Sequence, residues 1–355
     1  MLTPFQGTNN QTLFQYTEFF LSFSSVKKGC SSANQGKTRM IFFNKCSYNK
    51  NWISATFLVW HPCDVDFSPG KKEAKEKMRF GHHLGPVGAI RARDFQLRDP
   101  MGGWITESGR DEAFRSFQFM GAVAKDMAIG CAITKTHHAM SAFAYAWFKR
   151  EFIQIRLGSR VGDTAVFADD PDSGRTELKT DRGAVVMESD GNEKHLIVNS
   201  ESLEIELTFS EDSTETLRLC TPAGPAGWSY VQKVVAVDAM GSFTAAGVKT
   251  RLKDFAALAH HDYTTGFLRA ETWWHWACVV GRLPDNRTLG LNVSCGTNES
   301  GYRENGCWLK GKWFALGGAL FEFDHENIES DWRIYGTDGD FELIFSAGHG
   351  YHANG

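Results

Sequence analysis

The chain has 355 residues, of which 42% are hydrophobic and 23% are charged, and its net charge is −4. These values are typical of a globular protein with one or two domains, and without a basic excess we predict no nucleic-acid partner. Residues 13–23 are apolar but are interrupted by Gln15 and Glu18, so they predict neither a signal peptide nor a membrane span. We therefore expect a cytoplasmic protein with no integral membrane segment.

Aromatic residues are frequent, with 27 Phe and 11 Trp. Large β-sheet cores favour Phe, whereas clustered Trp favours a cavity lined with aromatic rings for an apolar ligand. The eight cysteines include no Cys-x-x-Cys pair, so we predict reduced thiols rather than a metal or redox site. Cys278, Cys295 and Cys307 stand in apolar segments and are expected to be buried.

The first 110 residues have the least regular pattern in the chain. Residues 55–60 predict a strand. Residues 70–80 predict a short, solvated helix, because Glu and Lys recur there at helical spacing. We assign residues 1–110 to an N-terminal extension with a short helix.

Residues 111–225 are predicted to form an N-terminal β half. A strand over residues 140–148 places three alanines on one face and Phe143, Tyr145 and Trp147 on the other. A helix is the alternative for this segment, but it would be apolar nearly all round and would need complete burial. We therefore favour a strand that packs tightly on its small-residue face.

Two further patterns in this half are typical of antiparallel sheets. Asp190-Gly191 predicts a hairpin turn between two apolar runs. Residues 203–209 alternate between apolar and polar side chains, as a strand with one solvated face does.

The densest cluster of Pro and Gly, residues 221–227, predicts a boundary before a C-terminal β half of residues 226–355. Strands separated by turn signals recur after it. They are predicted at residues 229–237, 241–248, 268–280, 288–295, 306–309, 313–323 and 341–345. Short strands with regular turns are typical of antiparallel sandwiches or barrels, and we predict a mostly β fold.

Residues 260–277 form the most unusual stretch, since three tryptophans and three histidines fall within it. After the turn-like Thr264-Thr265-Gly266, we predict a strand. Its side chains would alternate between two faces, one with Thr272, Trp274 and Trp276 and the other with Glu271, Trp273 and His275. A strand that is bulky on both faces and carries polar groups indicates the wall of a ligand site.

Asp262 is the candidate general acid of this stretch. A carboxyl group beside tryptophans is expected to be desolvated, which raises its pKa and makes it a usable acid at neutral pH. The alternative is that Asp262 pairs with Arg269 and fixes the turn before the strand.

Four motifs carry a resemblance to a known family. They are Trp228-Ser229-Tyr230-x-x-Lys233, Asp262-x-x-x-Gly266-x-x-Arg269-x-x-Thr272-x-Trp274-x-Trp276-Ala277, Gly290-Leu291-Asn292 and Glu304-Asn305-Gly306-x-Trp308-x-x-Gly311-Lys312. Over roughly residues 115–345, the chain resembles a bacterial domain-of-unknown-function family, number twenty-eight hundred and four.

This resemblance implies an antiparallel β protein, similar in architecture to the lipocalin-like carotenoid hydratases and tocopherol cyclases, which pair two barrel-like halves. In those proteins a carboxylic acid protonates an alkene, and aromatic faces stabilise the developing cation. The resemblance therefore implies the acid role for Asp262 and a cation-stabilising role for the neighbouring tryptophans.

We predict a site with three catalytic residues, Asp262, His261 and His275. The predicted substrate-binding residues are Trp273, Trp274, Trp276, Arg269, Thr272, Tyr145, Trp228, Asn292, Glu304 and Asn305. The three histidines of the stretch, His260 included, could instead bind a metal with Asp262. No helix-spaced ligand pair supports this, so we predict neither metal nor cofactor.

The leading hypothesis is a cofactor-independent acid–base enzyme, a hydratase, isomerase or cyclase, acting on a hydrophobic isoprenoid- or lipid-like substrate. The second hypothesis is a non-catalytic binding protein for an apolar metabolite. The third is a carbohydrate-binding or glycoside-cleaving protein, which would need paired carboxylates such as Asp262 and Glu271. The partner is in each case a small molecule, and the sequence does not give the oligomeric state.

Overall fold

The computed structural model describes residues 15–22, 53–59, 78–149, 151–224, 226–269, 273–327 and 330–352. Antiparallel strands make up most of these residues, which confirms the predicted mostly β fold. In chain order the strands are β1 (Gln15–Ser22), β2 (Ile53–Val59), β3 (Gly81–His82), β4 (Phe114–Ala124), β5 (Met127–Lys135), β6 (Met140–Phe148), β7 (Glu151–Gly158), β8 (Thr164–Val166), β9 (Ser173–Thr180), β10 (Gly183–Asp190), β11 (Glu193–Asn199), β12 (Leu203–Ser210), β13 (Leu217–Ala223), β14 (Gly227–Asp238), β15 (Met240–Ala245), β16 (Val248–Arg251), β17 (Leu258–Phe267), β18 (His275–Arg282), β19 (Thr288–Cys295), β20 (Gly306–Leu309), β21 (Lys312–Ala315), β22 (Ala319–Glu322), β23 (Trp332–Gly336) and β24 (Glu342–His352).

One short α-helix, α1 (Glu107–Ala113), precedes β4, and the Thr106 side chain caps it by accepting a hydrogen bond from the Gly109 N–H. Two single 3₁₀ turns lie at Ala92–Asp94 and Leu252–Phe255. The helix predicted at residues 70–80 falls mostly outside the described residues. In the part of the chain that the structure describes, no helix is long and apolar enough to cross a bilayer.

The strands form three sheets. The central sheet has the order β3-β13-β14-β17-β4-β5-β6-β7, the seven-stranded sheet β16-β15-β12-β11-β10-β9-β8, and the nine-stranded sheet β21-β20-β19-β18-β2-β1-β24-β23-β22. Each of them ends in two edge strands, so none of the described sheets closes into a barrel.

Both faces of the central sheet are buried. On one face, side chains such as Met120 and Ile129 share a core with Leu196 and Leu207 of the seven-stranded sheet. On the other face, a second core joins the central sheet to Trp276 and its neighbours in β18 and β20. A third core lies within the nine-stranded sheet, between β18–β20 and β22–β24. The central sheet is therefore the middle layer, and its inner strands β14, β17, β4, β5 and β6 are buried on both faces near their centres.

Strand β6 confirms the predicted alternation. Ala142, Ala144 and Ala146 face the first core, where close packing requires small side chains. Phe143 and Tyr145 face the second core. The strand of residues 203–209 is likewise confirmed as β12, with apolar side chains buried and Glu204 and Glu206 exposed.

The predicted turn at Thr264-Thr265-Gly266 is wrong, because these residues lie inside β17 and pair with β14 and β4. The predicted strand of residues 268–280 begins only at His275. The turn was predicted because of Gly266, but this glycine has a different role. Its φ is +147°, and a Cβ there would lie 2.3 Å from the Trp228 carbonyl oxygen. The glycine permits close approach of two strands rather than a turn.

Residues 221–223 are the end of β13 and Gly227 is the start of β14, and these strands pair from Leu217↔Lys233 to Ala223↔Gly227. The cluster of Pro and Gly thus joins two adjacent strands of the central sheet. The division of the chain into halves at this point stays a prediction.

Candidate functional site

Three buried charged side chains meet where the central sheet packs against the nine-stranded sheet. Lys233 of β14 lies directly opposite Asp262 of β17 in the ladder, and its Nζ donates to Asp262 Oδ2 at 2.5 Å. Glu304, just before β20, places its Oε2 at 3.3 Å from the same Nζ. We call Lys233, Asp262 and Glu304 the Lys233 triad.

The triad is almost fully removed from solvent, with side-chain exposures of 4% for Lys233, 9% for Asp262 and 4% for Glu304. Burial raises the pKa of Asp262, with Lys233 opposing the rise and Glu304 adding to it. Burial also disfavours the charged form of Lys233, but the two carboxylates outweigh this, so the pKa of Lys233 is raised. One ammonium shared by two carboxylates leaves excess negative charge in a dry interface, and a proton on Asp262 relieves it.

Hydrogen bonds hold both carboxylates in place. The Thr264 hydroxyl donates to Asp262 Oδ1 at 3.2 Å from two residues along the same face of β17. The Asn298 amide donates to Glu304 Oε2 at 2.9 Å. Asn298 belongs to residues 296–303, a loop between β19 and β20 whose outer part is exposed. This loop therefore lies between the triad and solvent.

Trp276 and Asn292 complete the surroundings of the triad. The Trp276 indole N–H donates to Asn292 Oδ1 at 2.6 Å, and the Asn292 amide donates to the Glu304 carbonyl oxygen at 2.9 Å. Lys233 Nζ lies 5.4 Å from the centre of the Trp276 ring, within cation–π distance. Three of the predicted binding residues, Trp276, Asn292 and Glu304, thus lie around Asp262.

Asn305, another predicted binding residue, has a different local role. Its Oδ1 accepts a hydrogen bond from the Ser294 N–H at 2.7 Å, and its amide donates to the Gly317 carbonyl oxygen at 2.9 Å. These bonds fix the chain before β20, which carries Glu304 to the triad.

His260 shares the face of β17 with Asp262. Its ring stacks on Phe119, with centres 5.1 Å apart and planes at 23°, and lies 6.4 Å from Trp276. The side chain is 2% exposed, and neither ring nitrogen has a hydrogen-bond partner. Burial, then His261 and Lys233, lower its pKa to about 3, so the imidazole is neutral.

His261 is not brought together with Asp262, because adjacent residues of a strand point to opposite faces. Its Nδ1 lies 3.0 Å from Glu211 Oε1, and its Nε2 lies 3.4 Å from the Gln118 amide. Lys194 is 3.8 Å from the same glutamate. This second buried polar group lies between the central and seven-stranded sheets.

His275 and Trp273 also lie apart from the triad. His275 faces the interior of the nine-stranded sheet, where its ring centre is 5.5 Å from Phe321 and 5.3 Å from both Phe323 and Trp273. Burial, and then His325, lower the pKa of His275. We call Trp273, His275, Phe321 and Phe323 the aromatic cluster.

The other predicted site residues are dispersed. Trp274 packs against the second core, as does Tyr145, which stacks with Phe152. Trp228 faces the first core and contacts Phe95. Arg269 is exposed after β17. Thr272 and Glu271 lie outside the described residues.

Sequence reasoning missed the partner of Asp262, which is Lys233 rather than the expected Arg269. Lys233 stood in one of the quoted motifs, so a signal was available. Among the described residues, no three His, Cys, Asp or Glu side chains converge as metal ligands do. The five described cysteines, including Cys278, Cys295 and Cys307, are unpaired and buried.

An open groove of about 220 Å³ lies away from the triad, on the solvent side of the seven-stranded sheet. Glu206 and Lys249 are among its lining residues. The groove has the polar lining of an ordinary sheet surface.

A family model described as a domain of unknown function, DUF2804, matches residues 108–354. Among solved structures, a protein provisionally named AttH from Nitrosomonas europaea is 12% identical with a TM-score of 0.40, covering 67% of this chain and 79% of that chain. Kievitone hydratase from Nectria haematococca is 10% identical with a TM-score of 0.40, covering 61% of this chain and 72% of that chain. No curated protein matches the chain. Likeness at this level transfers no function.

Proposed function

Because the chain belongs to the DUF2804 family and the matched range includes the whole Lys233 triad, we propose that this triad is the active site of a cofactor-independent acid–base enzyme. Asp262 donates a proton to a hydrophobic, isoprenoid- or lipid-like substrate. The reaction class is hydration, isomerisation or cyclisation. The observation that carries the proposal is the buried triad, in which two carboxylates share one ammonium.

The environment of Asp262 suits a proton donor. Its raised pKa keeps the acid form available at higher pH than for an exposed Asp. When the proton leaves, the carboxylate that forms is already hydrogen-bonded to Lys233 and Thr264. Groups placed in advance to stabilise the charge that develops lower the barrier of the proton transfer.

Trp276 and Glu304 have complementary roles in the proposal. Protonation of an alkene forms a C–H bond and leaves a carbocation, which the face of the Trp276 indole stabilises. In a hydration, water then adds to the cation and releases a proton; in an isomerisation, a neighbouring C–H releases it. Glu304 accepts this proton, and transfer within the triad returns it to Asp262.

Entry to the triad takes place through residues 296–303. The Asn298–Glu304 hydrogen bond ties this loop to the triad, so movement of the loop exposes Glu304 and Asp262 together. Loops that cover an active site commonly exclude water in this way.

The test is incorporation of deuterium from heavy water into isoprenoid alkenes, with farnesene as the first probe. The wild-type protein is expected to add one deuterium at the protonated carbon, and Asp262→Asn to add none while it still binds the probe. Asp172→Asn is the matched control, because Asp172 is a buried carboxylate of the other interface, paired with Arg218 at 2.9 Å. Deuterium incorporation by Asp262→Asn would overturn the assignment.

A non-catalytic binding protein is the second candidate, and the aromatic cluster favours it. Trp273 is 43% exposed beside partly buried rings, and exposed apolar patches mark ligand or partner sites. An apolar metabolite that copurifies unchanged, detected by mass spectrometry and lost in Trp273→Ala, would support this function. A glycoside-cleaving site has less support, because the Lys233 ammonium contacts both Asp262 and Glu304, the two carboxylates of the triad.

A further inference from the structure

His260 is a buried polar side chain that the proposed proton transfer does not use. It is 2% exposed, and both ring nitrogens lack hydrogen-bond partners. In the same interface Lys233, Trp276 and Asn292 all donate hydrogen bonds. A buried imidazole without partners loses the free energy of its hydration, so its presence calls for a ligand or another compensating function.

The residues around His260 indicate which kind of ligand it binds. Phe119 and Trp276 flank the imidazole. Across the ladder from His260 are Gly121 and then Gly130, and the space above Gly130 is taken by the Phe119 and Tyr145 rings. An imidazole among aromatic rings recognises an apolar molecule with a single polar group.

The charge of the interface restricts that group further. His260 is neutral, and the ammonium of Lys233 is already shared by Asp262 and Glu304. A carboxylate or phosphate on the ligand would therefore lose its hydration without gaining a free cation, whereas an uncharged group has less hydration to lose. A neutral imidazole has one N–H donor and one bare nitrogen acceptor, and a hydroxyl group can bond to either.

We infer that His260 binds a hydroxyl group of the substrate, so that the substrate is an uncharged, hydroxylated apolar molecule such as an isoprenoid alcohol. This inference rests on the proposed function in placing the bound molecule next to Asp262. His260 then positions the substrate, while Asp262 carries the chemistry. The hydroxyl end lies by His260, and the reacting carbon lies two residues along the same face of β17.

The test compares the binding of farnesol, farnesene and farnesoic acid, followed by quenching of tryptophan fluorescence. The wild-type protein is expected to bind farnesol about tenfold more tightly than farnesene, the contribution of one buried hydrogen bond. Farnesoic acid, as its carboxylate, is expected to bind more weakly than farnesol. His260→Phe keeps the stacking on Phe119 and should bind farnesol and farnesene equally, whereas His260→Gln should restore part of the preference. His195→Phe, on β11 of the seven-stranded sheet beside Glu188, should leave the preference unchanged.

Binding is also measured in the Asp262→Asn background, where no proton transfer is expected. A preference for farnesol there supports the His260 inference even if no probe is ever turned over. Conversely, deuterium incorporation without a preference for farnesol keeps the proposed function and overturns the inference. Equal binding of both probes by the wild type, absence of binding, or a full preference in a folded His260→Phe variant would each overturn it.

Discussion

Replacing Lys233 by Met removes the ammonium that Asp262 and Glu304 share while keeping an unbranched side chain of similar length. Lys233 is 4% exposed, so solvent cannot take its place beside the two carboxylates. Breaking a buried pair by removing one partner costs about 3–5 kcal/mol, because it leaves an uncompensated buried charge. We expect a loss of this size in the free energy of unfolding at neutral pH.

The loss has a defined pH dependence. Burial and the neighbouring Glu304 raise the pKa of Asp262, and Lys233 opposes this rise. Without the ammonium, the pKa of Asp262 in the folded state therefore lies further above that in the unfolded chain. Groups with raised folded pKa values contribute stability below the unfolded pKa and lose it as the pH rises through the folded pKa. The Lys233→Met variant should therefore be closest to wild type near about pH 4 and weakest near about pH 8.

Urea unfolding followed by tryptophan fluorescence measures both effects. Arg333→Met is the matched control, because Arg333 lies between Glu322 and Glu342 on the surface at 2.8 and 2.7 Å, and its removal should change little at any pH. Adding Asp262→Asn and Glu304→Gln to Lys233→Met removes all the buried charge and should recover much of the stability. An unchanged urea midpoint for Lys233→Met at about pH 8, or an equal loss at both pH values, would refute the reasoning.

Three further outcomes follow from individual contacts. Asn292→Leu leaves the Trp276 indole N–H without its acceptor and should lower the free energy of unfolding by about 1–3 kcal/mol; a thermal melt equal to that of wild type would contradict this. Gly266→Ala places a Cβ 2.3 Å from the Trp228 carbonyl oxygen and should lower the yield of folded protein on expression, with a soluble wild-type-like variant as the contrary result. Burial lowers the pKa of His260 from 6.5 to about 3, so the neutral imidazole contributes stability that is lost as the pH falls below 6.5. In His260→Phe, the urea midpoint should therefore change less between about pH 7 and pH 5 than in the wild type. An equal change in the two proteins would contradict this.

Local patterns predicted much of the fold. The alternation in β6 and β12 was readable because each face packs against one environment over the whole strand. The hairpin turn predicted at Asp190-Gly191 is confirmed between β10 and β11, because Gly191 readily adopts the positive φ of +59° that this tight connection requires. In β19, the apolar Leu291 and Val293 face the third core, and Asn292 faces the triad.

The candidate site was harder to predict, because the residues that contact each other in it are far apart in the sequence. Lys233 and Asp262 are 29 residues apart, and only the pairing of β14 with β17 brings them together. Its nearness in the sequence favoured Arg269 as the partner of Asp262 instead. The tryptophans were also misassigned as one wall, because the predicted strand of residues 268–280 ran through the connection between β17 and β18.

Strand β17 supplies both interfaces of the middle layer, with His260, Asp262 and Thr264 on one side and His261 and Thr265 on the other. A shift of β17 by a single position against its neighbours would exchange these two sets. In a shift that brings the imidazole of His261 beside Lys233, the imidazole of His260 would take its place beside Glu211. The register of β17 thus determines which polar side chains lie in each of the two interfaces. An insertion or deletion within β17 is therefore expected to abolish both buried polar groups together.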